Sequence, residues 1–225
     1  MAVIPDLAPF FSRYESLVSQ ADTLFAAVQS KYPEEVLCKK QCSSCCHAMF
    51  DLSLIEILYL DAKFRETIPY GAERSALQEK ADKADREAVR IKRSFFKAAK
   101  TGRESNDILR EAASVQLRCP LLDENDLCVM YQYRPITCRV YGAPTSIGGK
   151  AHTCGRTGFV QGVPYPTINL DRIQDQLAEL SFELAGSLGS RYTKLHTMYL
   201  PVSSVLVTTF DAAYLGIGKP PKEDD

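Results

Sequence analysis

The chain is expected to fold as a mainly α-helical single domain spanning residues 1–225, with a small β-hairpin and loop region around a cysteine cluster. Three observations carry that expectation. Several stretches repeat apolar residues at helical spacing or open on a helix cap. Strand and helix patterns do not alternate, so no parallel sheet is called for. A chain of 225 residues, 45% of them apolar, is large enough to bury a core of its own.

Taken in order, residues 6–31 place Leu7, Phe10, Phe11, Tyr14, Leu17, Leu24, Phe25 and Val28 near one helical stripe, closed by Pro33. After the first cysteines, "SLIE" reads as a capping box, with Ser53 capping a helix and Glu56 reaching back. That helix should run to about Arg65, before the break at Pro69, Tyr70 and Gly71. Residues 72–100 read as a long, partly solvated helix with sparse apolar positions at Ala76, Leu77, Ala84, Val89, Phe95 and Phe96. Its charge run "EKADKADREAVRIKR" reads as an exposed face. A further helix is expected over roughly 106–117.

The texture changes at Cys119. "CPLLDENDLCVMY" reads as a small hairpin with residues 123–126 at its tip, which would bring Cys119 and Cys128 together. A short helical turn follows Pro135, then a loop rich in Gly, Pro and Ser. Thr167 or Asn169 can cap a helix over 170–186, one or two helices fit 191–215, and the tail "GKPPKEDD" reads as polar and frayed.

The net charge is −1, from 27 basic and 28 acidic side chains, which gives no footprint for nucleic acid or anionic lipid. The N-terminus has no basic residue before Arg13 and does not read as a secretory signal. The late uncharged stretch 195–210 contains Pro201 and several hydroxyls, and is too short and polar to span a membrane. A cytoplasmic location, where thiols stay reduced, is the expectation.

The eight cysteines are Cys38, Cys42, Cys45, Cys46, Cys119, Cys128, Cys138 and Cys154. Four disulfides would suit a small secreted scaffold, which this chain does not resemble. Burial as core thiols could explain one or two of them. It does not explain four within the nine residues of "CKKQCSSCC", a segment that also carries Lys39, Lys40, Gln41, Ser43 and Ser44. Thiolates around a cation do explain it, because the cation lowers each pKa and sulfur is a soft ligand.

Cys38, Cys42 and Cys45 stand at i, i+4 and i+7, on one face if helical, with Cys46 beside them; an irregular loop could equally wrap an ion. The second group is spread over 119–154, and the two groups are expected to meet in space. Zinc sites usually show two C-x2–4-C pairs, and only the first group has that look; iron–sulfur clusters accept a triad and a distant fourth thiolate. Iron–sulfur is weakly preferred over zinc, with one site or two left open. The C-x3-C-x2-C spacing of radical S-adenosylmethionine enzymes is set aside, because the βα units they need are absent here.

"CKKQCSSCC" followed by "LSLIEI", and later "CPLLDENDLCVMYQYRPITCRVYG", resemble the YkgJ-like CxxCxxCC cysteine-cluster family, described as a zinc- or iron-chelating domain. The resemblance covers 38–154. It implies metal binding by Cys38, Cys42, Cys45, Cys46, Cys119, Cys128 and Cys138, with Cys154 where many members have a last cysteine. A flagellin lysine methylase is similar in the same cysteine pattern and carries an iron–sulfur cluster. That favours iron without extending methylase activity to this chain. Residues 38–154 would then be a metal-binding core, with helical additions at 1–31 and 170–218.

Arg134 and Arg139 are candidates to hydrogen-bond cluster sulfurs or a small anion; alternatively they pair with Asp123, Glu124 or Asp126 and pin the hairpin. His47 or His152 could replace a thiolate, His196 reads as structural, and Tyr131 and Tyr141 read as core aromatics. Three functions remain. The first is a metal-binding protein for electron transfer, metal handling or sensing, with structural zinc as a variant. The second is an enzyme using the cluster in protein modification or redox chemistry. The third is a metal-free thiol switch on the vicinal pair Cys45 and Cys46. A metal ion or cluster is the one partner expected; no protein partner is legible.

Overall fold

In a computed structural model that describes residues 3–39 and 41–218, the mainly helical expectation holds. Seven α-helices lie among the described residues: α1 (Ala8–Lys31), α2 (Leu54–Thr67), α3 (Ala72–Lys100), α4 (Ser105–Ser114), α5 (Ile136–Val140), α6 (Leu170–Ser187) and α7 (Val202–Val207). Short strands β1 (Leu52–Ser53) and β5 (Tyr199–Leu200) pair antiparallel. A separate three-stranded sheet has β2 (Thr145–Ile147) between antiparallel β3 (Lys150–His152) and parallel β4 (Ile168–Asn169). The tail beyond Gly218 lies outside the described residues.

Helix α2 is the centre of the core. Its first seven residues are all buried, so it is enclosed on every side rather than laid on a surface. The capping box forms as its sequence requires: Glu56 accepts from Ser53 N at 3.1 Å and from the Ser53 hydroxyl at 3.0 Å. The second Glu56 oxygen accepts from Ile136 N at 3.3 Å, which ties the start of α5 to the start of α2. Burial raises the Glu56 pKa, and the bonds from Ser53 and Ile136 oppose that shift.

The other helices pack around this axis. Tyr14 of α1 sits 4.8 Å from the ring of Tyr59 on α2, and Phe11 meets the same ring edge-on at 5.4 Å. Ser181 of α6 accepts from Ile55 N at 3.2 Å. Helix α6 opens with Asn169 as its cap, the side chain accepting from Arg172 N at 3.0 Å.

Two expectations are corrected in detail. Helix α3 buries Leu77, Ala81 and Ala88, while Ala76, Val89 and Phe96 face solvent, because the stripe turned inward follows three-and-four spacing from Leu77. Its charge run does form an exposed face, laced by pairs such as Lys83–Glu79. The loop after α5 is partly the β2–β3 hairpin, turned by Gly148 and Gly149, both at positive φ.

Replacing Glu56 by Ala removes the Glu56 half of the capping box and leaves buried donors at Ser53 and Ile136 without partners. The expected loss is about 2–4 kcal/mol of stability. A fall in the urea-unfolding midpoint measures it; an unchanged midpoint would show that the link between α2 and α5 carries no weight.

Candidate metal centre

The first cysteine arm is an irregular loop, so the helical alternative for Cys38, Cys42 and Cys45 does not apply. Cys42 N bonds to Lys39 O at 2.9 Å, and Gln41 adopts a left-handed φ of 70° that folds the loop back. A 3-10 turn, Ser44–His47, then presents Cys45 and Cys46. The Ser43 carbonyl accepts from Cys46 N at 2.9 Å and lies 3.0 Å from His47 Nδ1, so the imidazole turns back onto its own loop.

The second arm meets the first through main-chain bonds. Leu117 N donates to His47 O at 3.0 Å, Cys119 N donates to Cys46 O at 2.7 Å, and Ala48 bridges Gln116 antiparallel. From Cys119 the chain makes a tight loop rather than two paired strands, with a single bridge between Leu122 and Cys128. Asp123 fixes that loop, its side chain accepting from Asn125 N at 2.8 Å and Leu127 N at 2.7 Å. Cys138 rides on α5, held by the buried neighbours Ile136 and Val140.

The result is a cavity of about 760 Å³. Cys38, Cys42, Cys45 and Cys46 of the first arm line it. Cys119, Cys128 and Cys138 of the second arm line it too. Cys154 borders a neighbouring recess together with Cys38, Cys42 and Cys45. All eight are free thiols. The Cys45 and Cys46 sulfurs are 4.0 Å apart, against about 2.05 Å for a disulfide. Thiolates sharing one tetrahedral ion at about 2.3 Å stand roughly 3.8 Å apart, so this spacing suits common ligation.

The charge balance around Cys45 is distinctive. Hydrogen bonding from the Cys138 thiol, then from Cys46, holds the Cys45 pKa down at about 3, and the Arg134 guanidinium adds to the effect. The same bonds push Cys46 and Cys138 up. Burial pushes Cys38 up to about 11 and Cys119 up to about 12, and raises Cys128 and Cys154. The thiolate charge thus settles on Cys45, and further deprotonation calls for a cation. Among the described residues no three His, Cys, Asp or Glu side chains are placed together to hold a metal ion.

The two candidate arginines have separate surroundings. Arg134 stacks on the Tyr131 ring, 3.9 Å from its centroid, and faces the cavity with its charge acting on Cys38, Cys45 and Cys128. Arg139 also borders the cavity, but its guanidinium donates to Asp22 of α1 at 2.7 Å, to Arg134 O at 2.9 Å and to Gln132 O. Hairpin pinning falls to Arg118, which donates to Asp123 O at 2.7 Å and lies 3.8 Å from Asp126. Asp22, about four turns into α1, could not be found from sequence, because nothing local signals its pairing with Arg139. His152 lies exposed on β3, and His196 packs edge-on against Phe182 at 5.1 Å.

With metal removed and thiols reduced, iodoacetamide at pH 6 should label Cys45 ahead of Cys38, Cys46, Cys119 and Cys138, since only the thiolate reacts. Peptide mass mapping reads the order. Equal labelling of the five would show that Cys45 does not hold the shared charge.

No curated protein sequence and no solved structure gives a significant match to the chain. One protein-family model does match: CxxCxxCC, described as a "Putative zinc- or iron-chelating domain", over residues 37–155, more than half of the 225 residues. The matched span contains both cysteine arms, Cys154 and every cysteine that lines the cavity, and among the described residues no helix is long and apolar enough to cross a membrane. Matched over more than half its length and through both cysteine arms, the chain belongs to the CxxCxxCC family.

Proposed function

We propose that this is a cytoplasmic iron–sulfur protein whose cluster sits where the two cysteine arms face each other. One observation carries the reading: seven thiols from arms far apart in sequence line a single cavity of about 760 Å³. A lone structural zinc needs no such space, whereas an inorganic cluster held by four thiolates does. Cys45, Cys46, Cys119, Cys128 and Cys138 are the candidate ligands, and Arg134 offsets their charge and can hydrogen-bond a sulfur. Bound there, the cluster supplies one-electron chemistry, which suits electron transfer or sensing. The protein's own part is to hold the thiols, limit water and set the local charge.

A second reading, an enzyme that works beside the cluster, draws on the extent of the same cavity. It continues past the thiols to Phe25 and Gln29 of α1 and to Val202 and Ser203 of α7, and its volume is that of a small-molecule pocket. The helical additions outside the matched region would then shape what enters. A shift in the cluster's absorption on adding S-adenosylmethionine or a small reductant would favour this reading.

Protein purified without oxygen is expected to be brown and to contain iron with acid-labile sulfide. Cys138→Ser should lower bound iron and sulfide together, as measured by metal and sulfide analysis. Colourless protein carrying stoichiometric zinc would replace the iron–sulfur reading with structural zinc.

A further inference from the structure

Away from its thiols the large cavity has a second character. Phe50, Leu121, Leu122 and Val202 give it an apolar wall, the last three of them buried. Its mouth is polar and aromatic: Tyr131 lines it at 62% exposure, beside the half-buried Arg134 and the exposed Lys39. At about 760 Å³ the space is that of a pocket for a whole small molecule.

The lining carries a surplus of positive charge. Four basic side chains border the cavity against two carboxylates. Both carboxylates are taken: Asp22 accepts from Arg139 at 2.7 Å, and Asp126 lies 3.8 Å from Arg118. Among the described residues neither Lys39 nor Arg134 forms an ion pair with a carboxylate. A thiolate at Cys45 offsets one of these charges and leaves the other.

Arg134 and Arg139 differ in what they have left to give. Every guanidinium nitrogen of Arg139 is bonded, Nε to Arg134 O, Nη1 to Asp22 and Nη2 to Gln132 O. Arg134 uses only Nη1, on Tyr131 O at 3.1 Å. Its guanidinium sits over the Tyr131 ring, 3.9 Å from the centroid, which holds the group in place. The Nε–Nη2 edge is left without a protein partner among the described residues. That edge carries two parallel N–H donors, the fork that grips a carboxylate by both oxygens.

We infer that the cavity binds an apolar carboxylate, its acid group held by Arg134 and Lys39 at the mouth and its hydrocarbon body laid against Phe50, Leu122 and Val202. The inference rests on the reading of the cavity as a small-molecule pocket and names the class of molecule it admits. An amine would meet like charge, and a neutral molecule would leave the Arg134 fork unfilled.

Full-length protein, purified without oxygen and analysed for metal and sulfide, is titrated calorimetrically with naphthoate, naphthalenemethanol and naphthylmethylamine, three probes on one ring system, and with acetate. Naphthoate should bind about tenfold tighter than the alcohol, because a charge-assisted fork replaces a neutral hydrogen bond. Acetate and the amine should each bind more weakly than naphthoate, one lacking a body to bury and the other repelled. Arg134→Gln should lower the naphthoate affinity about tenfold and leave that of the alcohol unchanged. Arg93→Gln, on the exposed side of α3, should leave both unchanged. Naphthoate bound no tighter than the alcohol by wild-type protein overturns the inference, whether or not any variant folds, and so does an equal loss of both probes in Arg134→Gln. Where the alcohol still binds, the small-molecule pocket stands and its preference for an acid falls. Where none of the four probes binds, the pocket reading falls with the inference. Metal and sulfide in the same sample judge the cluster separately.

Discussion

Two main-chain hydrogen bonds hold the thiol architecture together: Leu117 N to the His47 carbonyl and Cys119 N to the Cys46 carbonyl. They fasten residues directly at the cysteines, so the geometry of one arm is transmitted to the other without a flexible side chain between them. The long excursion through α2, α3 and α4 separates the two arms, and its closure would be entropically unfavourable for a loose chain. Packing offsets that cost. Helix α2 is enclosed by the core, Glu56 ties it to the start of α5, and α5 carries Cys138. The helical body therefore does more than surround the cysteines; it determines where the second arm returns.

Electrostatics then explains why such an arrangement calls for a cation. Two unit charges about 4 Å apart repel by on the order of 4 kcal/mol at an effective dielectric of 20. A folded domain has a net stability of only about 5–15 kcal/mol. One thiolate at Cys45, supported by donors from Cys138 and Cys46 and by Arg134, is affordable to the fold. The other thiols, their pKa values raised, avoid that repulsion by staying protonated. A metal ion among them would supply the positive charge that lets them ionise, and its binding would then add to the stability of the fold.

What could be read from the sequence follows from the range of each interaction. The Ser53–Glu56 cap was legible because its two residues are three apart and act locally. The helices were legible in outline, but the inward face of α3 was not, since Ala81 and Ala88 are weak hydrophobic markers beside the exposed Phe96. The β2–β3 hairpin carried a signal in its Gly148–Gly149 pair, which a Gly-rich loop also displays. The convergence of cysteine arms was expected from chemistry alone. The distinct placement of Cys154 was not, because its clamp is made by Glu35, Thr157 and Gly158, residues with no cysteine-like signature.

The adjacent pair Cys45 and Cys46 gains its meaning from the 3-10 turn that carries it. Successive side chains on such a turn point about 120° apart, so neighbours in sequence diverge in space. Cys46 lines the large cavity, its pKa raised first by the bond to Cys45, then by burial and by the nearby Cys119 and Cys128 thiols. Cys45 borders both the cavity and the recess. A vicinal disulfide would have to draw the two sulfurs together from 4.0 Å and pull Cys45 away from its second neighbourhood. The tight turn thus lets one short loop present Cys45 to both the cavity and the recess while Cys46 lines the cavity alone.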